Sequence, residues 1–209
     1  MASMCIKTKR IDVAEICLSQ MGHARGAAAL RESKVTYNNN INLSIAILAI
    51  HLGYYDDAIQ LYKEAGRYDL ITQLLQASGK YEKSIRITNT YDSIHIQTTH
   101  YEYASYLESI SDINGAIEQY ELSHTANIEV PRMLYNNNMI DKLEKYIHNN
   151  NDSVLWKWWG CYLESIGKHE KASKYYKKAN DYLSCVRIAC YKVNVSVLVC
   201  IYKIFTEVI

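Results

Sequence analysis

The sequence predicts an all-α solenoid of antiparallel helix hairpins, and three observations carry that prediction. Apolar residues recur every three or four positions through most of the 209 residues, while two-residue alternation is rare. There is one Pro, so the breaks between helical stretches fall at Gly, Asn and Asp. The pentapeptide YLESI occurs at 106–110 and again at 162–166. Similarity continues beyond both copies, "YLESISDINGAIEQYELS" against "YLESIGKHEKASKYYKKA".

Alignment on the residue after YLESI exposes a template. Five residues beyond Ser111 and Gly167 stand Ala116 and Ala172; nine beyond stand Tyr120 and Tyr176; twelve beyond stand Ser123 and Ala179. The template fits again at Gly53, with Ala58, Tyr62 and Ala65, and in part at Gly79, with Ser84 at the small position. Weaker matches start at Lys9, with Ala14 and Leu18, and at Asn138, with Leu143 and Ile147. Each position has a mechanical reason. Gly lets the first helix end in a left-handed turn. The small residue lets two antiparallel helices approach closely. The aromatic fills the groove against the next unit. This is the helix–turn–helix unit of a degenerate tetratricopeptide-like array. The anchors at 9, 53, 79, 111, 138 and 167 are 44, 26, 32, 27 and 29 residues apart, so the repeats are irregular, mostly 26–32 residues. The Pro usual between such units is missing. The two YLESI copies are then two repeats apart.

The elements follow in order. Residues 11–18 read as the second helix of a unit whose first helix begins near the N-terminus. "MGHARGAAALRES" is a helical run, and the Asn-rich "TYNNNINLS" a loop near 36–42. Hairpins follow at 44–52 with 55–65, at 68–78 with 81–88, and at 94–110 with 113–123. Pro131 suits the first turn of a helix. Loops near 135–139 and 148–153, with Asn runs as solvated filler, bracket a short helix at 140–147. Residues 153–166 and 170–179 form the last clear hairpin, and 182–191 begin another. Within YLESI, Leu107 and Leu163 should pack while Glu108 and Glu164 face solvent. The array therefore covers 1–192. The segment 193–209, "VNVSVLVCIYKIFTEVI", is β-branched and nearly uncharged, the opposite of the polar cap a solenoid end needs. It reads as an atypical tail outside the array, from intron read-through or an alternative ending.

Composition narrows the function classes. The chain is 49% apolar, too much for a wholly disordered protein. Its net charge of +1, from 23 basic and 22 acidic residues, argues against a nucleic-acid surface. The 19 Tyr against one Phe suit half-buried positions in thin, two-layer structures. The six Cys, at 5, 17, 161, 185, 190 and 200, form no CxxC pair. With no signal peptide in "MASMCIKTKR", they are expected to be reduced, cytosolic and mostly buried. No run of eighteen apolar residues exists, so stable membrane insertion is not expected. The seven His are scattered, and His95 and His100 are five apart rather than the four a shared helical ligand face prefers. No phosphate loop, GxSxG, HExxH or paired-carboxylate arrangement occurs, so neither an enzyme, a cofactor nor a metal site is expected.

Two features stand out as candidate protein-binding elements. "LWKWWGCYLES" carries all three Trp. Leu155, Trp159, Tyr162, Leu163 and Ile166 share one helical face and read as core. Trp156 and Trp158 point elsewhere, and further core burial competes with a partner hot spot there. Lys168, Lys171, Lys174 and Lys178 follow helical spacing opposite Tyr175 and Tyr176. A solvated outer face is the ordinary reading; a basic strip docking an acidic partner segment is the functional one.

The blocks "MCIKTKRIDVAEICLSQMGHARGAAALRES", "LAIHLGYYDDAIQLYKEAGRYDLITQL", "EVPRMLY", "LWKWWGCYLES" and "YLSCVRIACY" carry a resemblance. Together, and in this order, they are similar to the intraflagellar transport protein 140 family, large subunits of ciliary complex A. The resemblance spans about residues 4–191. It implies a tetratricopeptide solenoid, which in the family follows WD40 propellers, and a scaffold with no catalytic residues. It further implies dynein-driven retrograde transport, cilium assembly and cargo import, at the ciliary base, the axoneme and in the cytoplasm. The implied partners are other complex A subunits and a tubby-like cargo adaptor. The chain departs from the family in lacking a propeller region, in its Asn-rich loops, and after Lys192, so it reads as a fragment of the solenoid. Competing readings are a vesicle-coat-like or generic tetratricopeptide adaptor for peptide tails, which needs inward-facing Lys, Arg and Asn, and an RNA-binding helical repeat. The near-neutral charge and irregular units speak against the latter.

Overall fold

A computed structural model describes residues 4, 8, 10–37 and 40–192. All the regular elements among them are helices. They are α1 (Ile11–Gln20), α2 (Ala24–Thr36), α3 (Ile41–His51), α4 (Tyr55–Glu64), α5 (Tyr68–Ala77), α6 (Tyr81–Tyr91), a 3₁₀ turn (Ser93–His95), α7 (Ile96–Ser109), α8 (Ile113–Leu122), α9 (Ala126–Asn136), α10 (Ile140–Asn149), α11 (Ser153–Ser165) and α12 (His169–Lys178). A further helix, α13, runs over 182–192. This is the all-α, tetratricopeptide-like array of hairpins that the sequence predicts. The tail at 193–209 lies outside the described residues.

One turn recurs at every step from a first helix to a second. Gly22, Gly53, Gly79, Ser111, Asn138 and Gly167 all adopt positive φ, between 57° and 81°. The next residue's amide bonds back five positions in each case, as from Tyr54 N to Ala49 O at 2.8 Å and from Lys168 N to Leu163 O at 2.9 Å. This pattern satisfies carbonyls that a helix end otherwise leaves unpaired. A Cβ built on Gly53 or Gly167 meets nothing within 4 Å, so glycine serves the dihedral there and not the space. The small residues behind these turns, Ala58, Ser84, Ala116 and Ala172, are fully buried. The aromatics at the next template position, Tyr62, Tyr120 and Tyr176, are buried as well. Where Leu143 replaces the small residue, α9 and α10 pack less closely than α11 and α12.

The chain divides into two compact units at Tyr103 and Ala104, within α7. The first is built on an apolar core that includes Leu18, Leu30, Ile45, Leu48, Tyr62 and Ile71. Beside it lies a polar seam. Thr88 stands at the aromatic position of its repeat, and its hydroxyl lies 3.3 Å from that of Thr72 and 3.5 Å from that of Thr99. In the second unit Tyr120, Met133, Leu134, Ile147, Trp159 and Tyr176 are buried.

Five expectations change. The cysteines are not mostly buried: of the four described, Cys17 is buried, Cys185 half-buried, and Cys161 and Cys190 exposed. Helix α1 is a first helix, not a second: it packs on α2 and also on α3, as α9 packs on α11. Its turn is Gly22, with Ala27 buried at the small position, so the anchors at 22 and 53 are 31 residues apart and the long 44-residue step disappears. Pro131 lies inside α9, not in its first turn, because the helix already starts at Ala126. The Asn runs end helices and are not mere filler. Asn137 Nδ2 donates to Met133 O at 2.8 Å, Asn138 takes the left-handed turn, and Asn150 Nδ2 donates to Tyr146 O at 3.1 Å. Ile166, expected in the core, is 44% exposed, because the turn at Gly167 begins beneath it.

Candidate functional site

The sequence-predicted binding residues all lie on α11 and α12 of the second unit. Helix α11 starts where Asp152 Oδ1 accepts from Val154 N at 2.9 Å. It buries Leu155, Trp159 and Leu163. Gly160 lies on the same side, and a Cβ there would come within 2.9 Å of Tyr176 Cε1. The ring of Tyr176 thus rests on bare backbone, which is why these two helices approach so closely. Helix α12 follows with Ala172 and Tyr176 turned inward and Lys171, Lys174, Lys177 and Lys178 exposed.

The structure splits the predicted Lys strip in two. Lys171 and Lys174, with Lys168, line a groove of about 560 Å³ between α10, α11 and α12. Ile140, Leu163 and Ile166 add apolar lining; Asp141, Glu144 and His148 stand on the α10 side. Tyr175 lines the same groove, so it is beside these lysines rather than opposite them, and its hydroxyl lies 3.3 Å from His148 Nε2. Lys178 lies apart. Its Nζ sits 5.9 Å from the ring centre of Trp156 and 5.4 Å from that of Tyr175. Trp156 and Trp158 are both half-buried. Trp158 meets Tyr135 edge-on at 5.9 Å and stacks along Tyr162 at 6.1 Å, so it extends an aromatic cluster over α9 and α11.

The second unit also holds a polar device that the sequence reading misses. Glu108 and Glu164, expected in solvent, are partly buried between three helices. Tyr120 donates to Glu108 Oε2 at 2.8 Å, and Arg132 from α9 adds bonds to both carboxylate oxygens at 3.1 and 2.8 Å. Tyr176 donates to Glu164 Oε2 at 2.7 Å, with Cys161 Sγ at 3.3 Å, and Arg187 from α13 reaches the same oxygen at 2.7 Å. Burial acts to raise both carboxyl pKa values. The hydrogen bonds from the Arg and Tyr partners outweigh it and hold each below the ordinary 4.5. Burial first, then the neighbouring carboxylate, pushes the Tyr120 phenol well up. The template carries the signal: Glu three before the anchor, Tyr nine after it, Arg twenty or twenty-one after it.

A second recess, of about 450 Å³, lies in the first unit. Its lining includes Asp69, Asp92, Glu102, Thr72, Thr99 and His95, with no Lys or Arg. Among the described residues no group of three or more His, Cys, Asp or Glu could hold a metal ion, and no helix is long and apolar enough to cross a membrane.

Half-buried aromatic and exposed basic side chains on packed hairpins can present a surface to another protein. The repeated left-handed turn, buried small residue and buried aromatic define the hairpin itself. A family model, described as the tetratricopeptide (TPR) domain of intraflagellar transport proteins 140 and 172, matches residues 1–201. A tetratricopeptide array of this kind is a protein-interaction scaffold related to intraflagellar transport. The match spans every helix described above, and so the chain belongs to this family of intraflagellar transport TPR domains.

Proposed function

We propose that the chain is a non-enzymatic scaffold segment of an intraflagellar transport complex A subunit, acting in retrograde transport, cilium assembly and cargo import. The observation that carries this reading is the family match over 1–201 together with the ordered blocks, "LWKWWGCYLES" above all. Its partners are other complex A subunits and, through them, a tubby-like cargo adaptor; its place is the ciliary base and axoneme, with a cytoplasmic pool. The contact residues on the second unit are Trp156, Trp158, Lys171, Lys174 and Lys178, with half-buried Trp156 beside exposed Lys178.

The peptide-tail adaptor is less well supported. Such an adaptor needs Lys, Arg and Asn on the faces of its first helices. The recess lined by α5 and α7 instead carries Asp69, Asp92 and Glu102. Tagged protein expressed in ciliated cells tests the proposal. It should co-purify with complex A subunits and concentrate at the ciliary base. A diffuse signal with no such partners would sink the complex A assignment.

A further inference from the structure

We propose that the groove between α10, α11 and α12 docks an acidic segment of a partner protein, with an aliphatic side chain on its apolar lining and carboxylates along α12. This rests on the scaffold reading and gives one of its surfaces a partner chemistry.

Three features of the second unit converge there. Part of the lining is apolar, and Ile166 in it is 44% exposed, a side chain that an aliphatic anchor would cover. One wall presents Lys168, Lys171 and Lys174 at three-residue intervals. Among the described residues none of the three holds an ion pair. Several other cations of this unit are engaged, Arg132 with Glu108, Lys157 with Asp181, Arg187 with Glu164 and Lys192 with Glu170, whereas Lys177 and Lys178, like these three, hold no ion pair among the described residues. Residues 168–178 hold five Lys and one Glu, in a chain whose net charge is only +1. The α12 wall therefore attracts anions although the chain as a whole is near neutral.

The facing wall limits the occupant further. Asp141 and Glu144 stand on the α10 side, so carboxylates placed there would be repelled. The fitting segment is acidic along one side only. Nucleic acid, with charge on every nucleotide and no aliphatic anchor, would meet the Lys wall but be repelled by the acidic one, and it leaves the apolar lining uncovered.

The test titrates the whole chain against a fluorescein-labelled synthetic peptide, with Glu along one helical side of a single central Leu. Anisotropy should report saturable binding that weakens as salt rises. Combined Lys168→Glu, Lys171→Glu and Lys174→Glu should weaken it at least about tenfold. Lys177→Glu, on the exposed side of α12 outside the groove, should leave affinity within about twofold. Replacing the peptide's Leu by Ser should cost about tenfold. Circular dichroism checks that the triple variant is folded. If it is not, Lys171→Glu and Lys174→Glu singly should each cost about three- to fivefold. No saturable binding, an equal loss in Lys177→Glu, or indifference to the Leu would each overturn the docking site. Peptide binding without complex A co-purification would remove the complex A assignment alone; co-purification without peptide binding would remove this groove alone.

Discussion

Glu108 and Glu164 show how much one side chain's role depends on residues far along the chain. Each is the central residue of a YLESI copy, and on a helical wheel each falls on the polar side. Their partners come 12 and 23 or 24 residues later, Tyr120 with Arg132 and Tyr176 with Arg187. Each carboxylate ties a first helix to its second helix and to the next unit's first helix. Backbone strain is also decided at single residues. Ser111 holds φ at 66°, where an L side chain crowds its own carbonyl. The equivalent turn at the other YLESI copy has Gly167. Ser111→Gly should therefore stabilise the chain by about 1 kcal/mol, read as a higher midpoint in urea or thermal unfolding. A lower midpoint would mean that the serine side chain contributes something the turn geometry does not reveal.

At the scale of elements, the register of the best-matched hairpins follows from a small residue and an aromatic, one turn apart on the second helix, packed against the first helix. Ala172 is fully buried where α11 and α12 come closest, and Gly160 bears the Tyr176 ring. Ala172→Trp should overpack this contact and cost about 1–3 kcal/mol or more, and Gly160→Leu should cost a similar amount despite the helix propensity it gains. Thermal unfolding measures both. Unchanged unfolding in Ala172→Trp would contradict the register. This template makes the hairpins from 41 onward legible in the sequence. It misplaces the first one, because Ala14 and Leu18 satisfy the spacing by chance of helical periodicity. Only the packing of α1 on α3 shows which helix comes first. The Asn-rich junctions are hard to read for a related reason. Composition marks a break, but whether an Asn caps a helix depends on the dihedral it adopts.

Across the whole molecule, several carboxylates are held below their ordinary pKa. Hydrogen bonds from Arg67 do this for Asp69, against an ordinary value of 3.8. Glu108 and Glu164 are lowered against burial by their Arg and Tyr partners, from 4.5. The sign is fixed by linkage. A depressed folded pKa adds stability that is complete above the unfolded value and is lost as pH falls through the folded one. Stability should hold from neutrality to about pH 4.5 and decline below it. Denaturant unfolding across pH measures this. The Glu108→Gln, Glu164→Gln variant should be weaker at neutral pH and lose less on acidification; parallel declines would show that the two carboxylates are not the groups concerned.

The sequence by itself determined the helical class, the hairpin template from Gly53 onward and the family resemblance. These rest on local periodicity, turn chemistry and residue order, all of which a linear string carries. The tertiary structure alone decided the phase of the first hairpin, the burial of Glu108 and Glu164, and the division of the Lys strip into a groove wall and an aromatic contact. Those depend on where helices meet. Residues 12 to 24 positions apart become neighbours only when the hairpins close and stack, so their recurrence in the template shows a pattern but not that they meet.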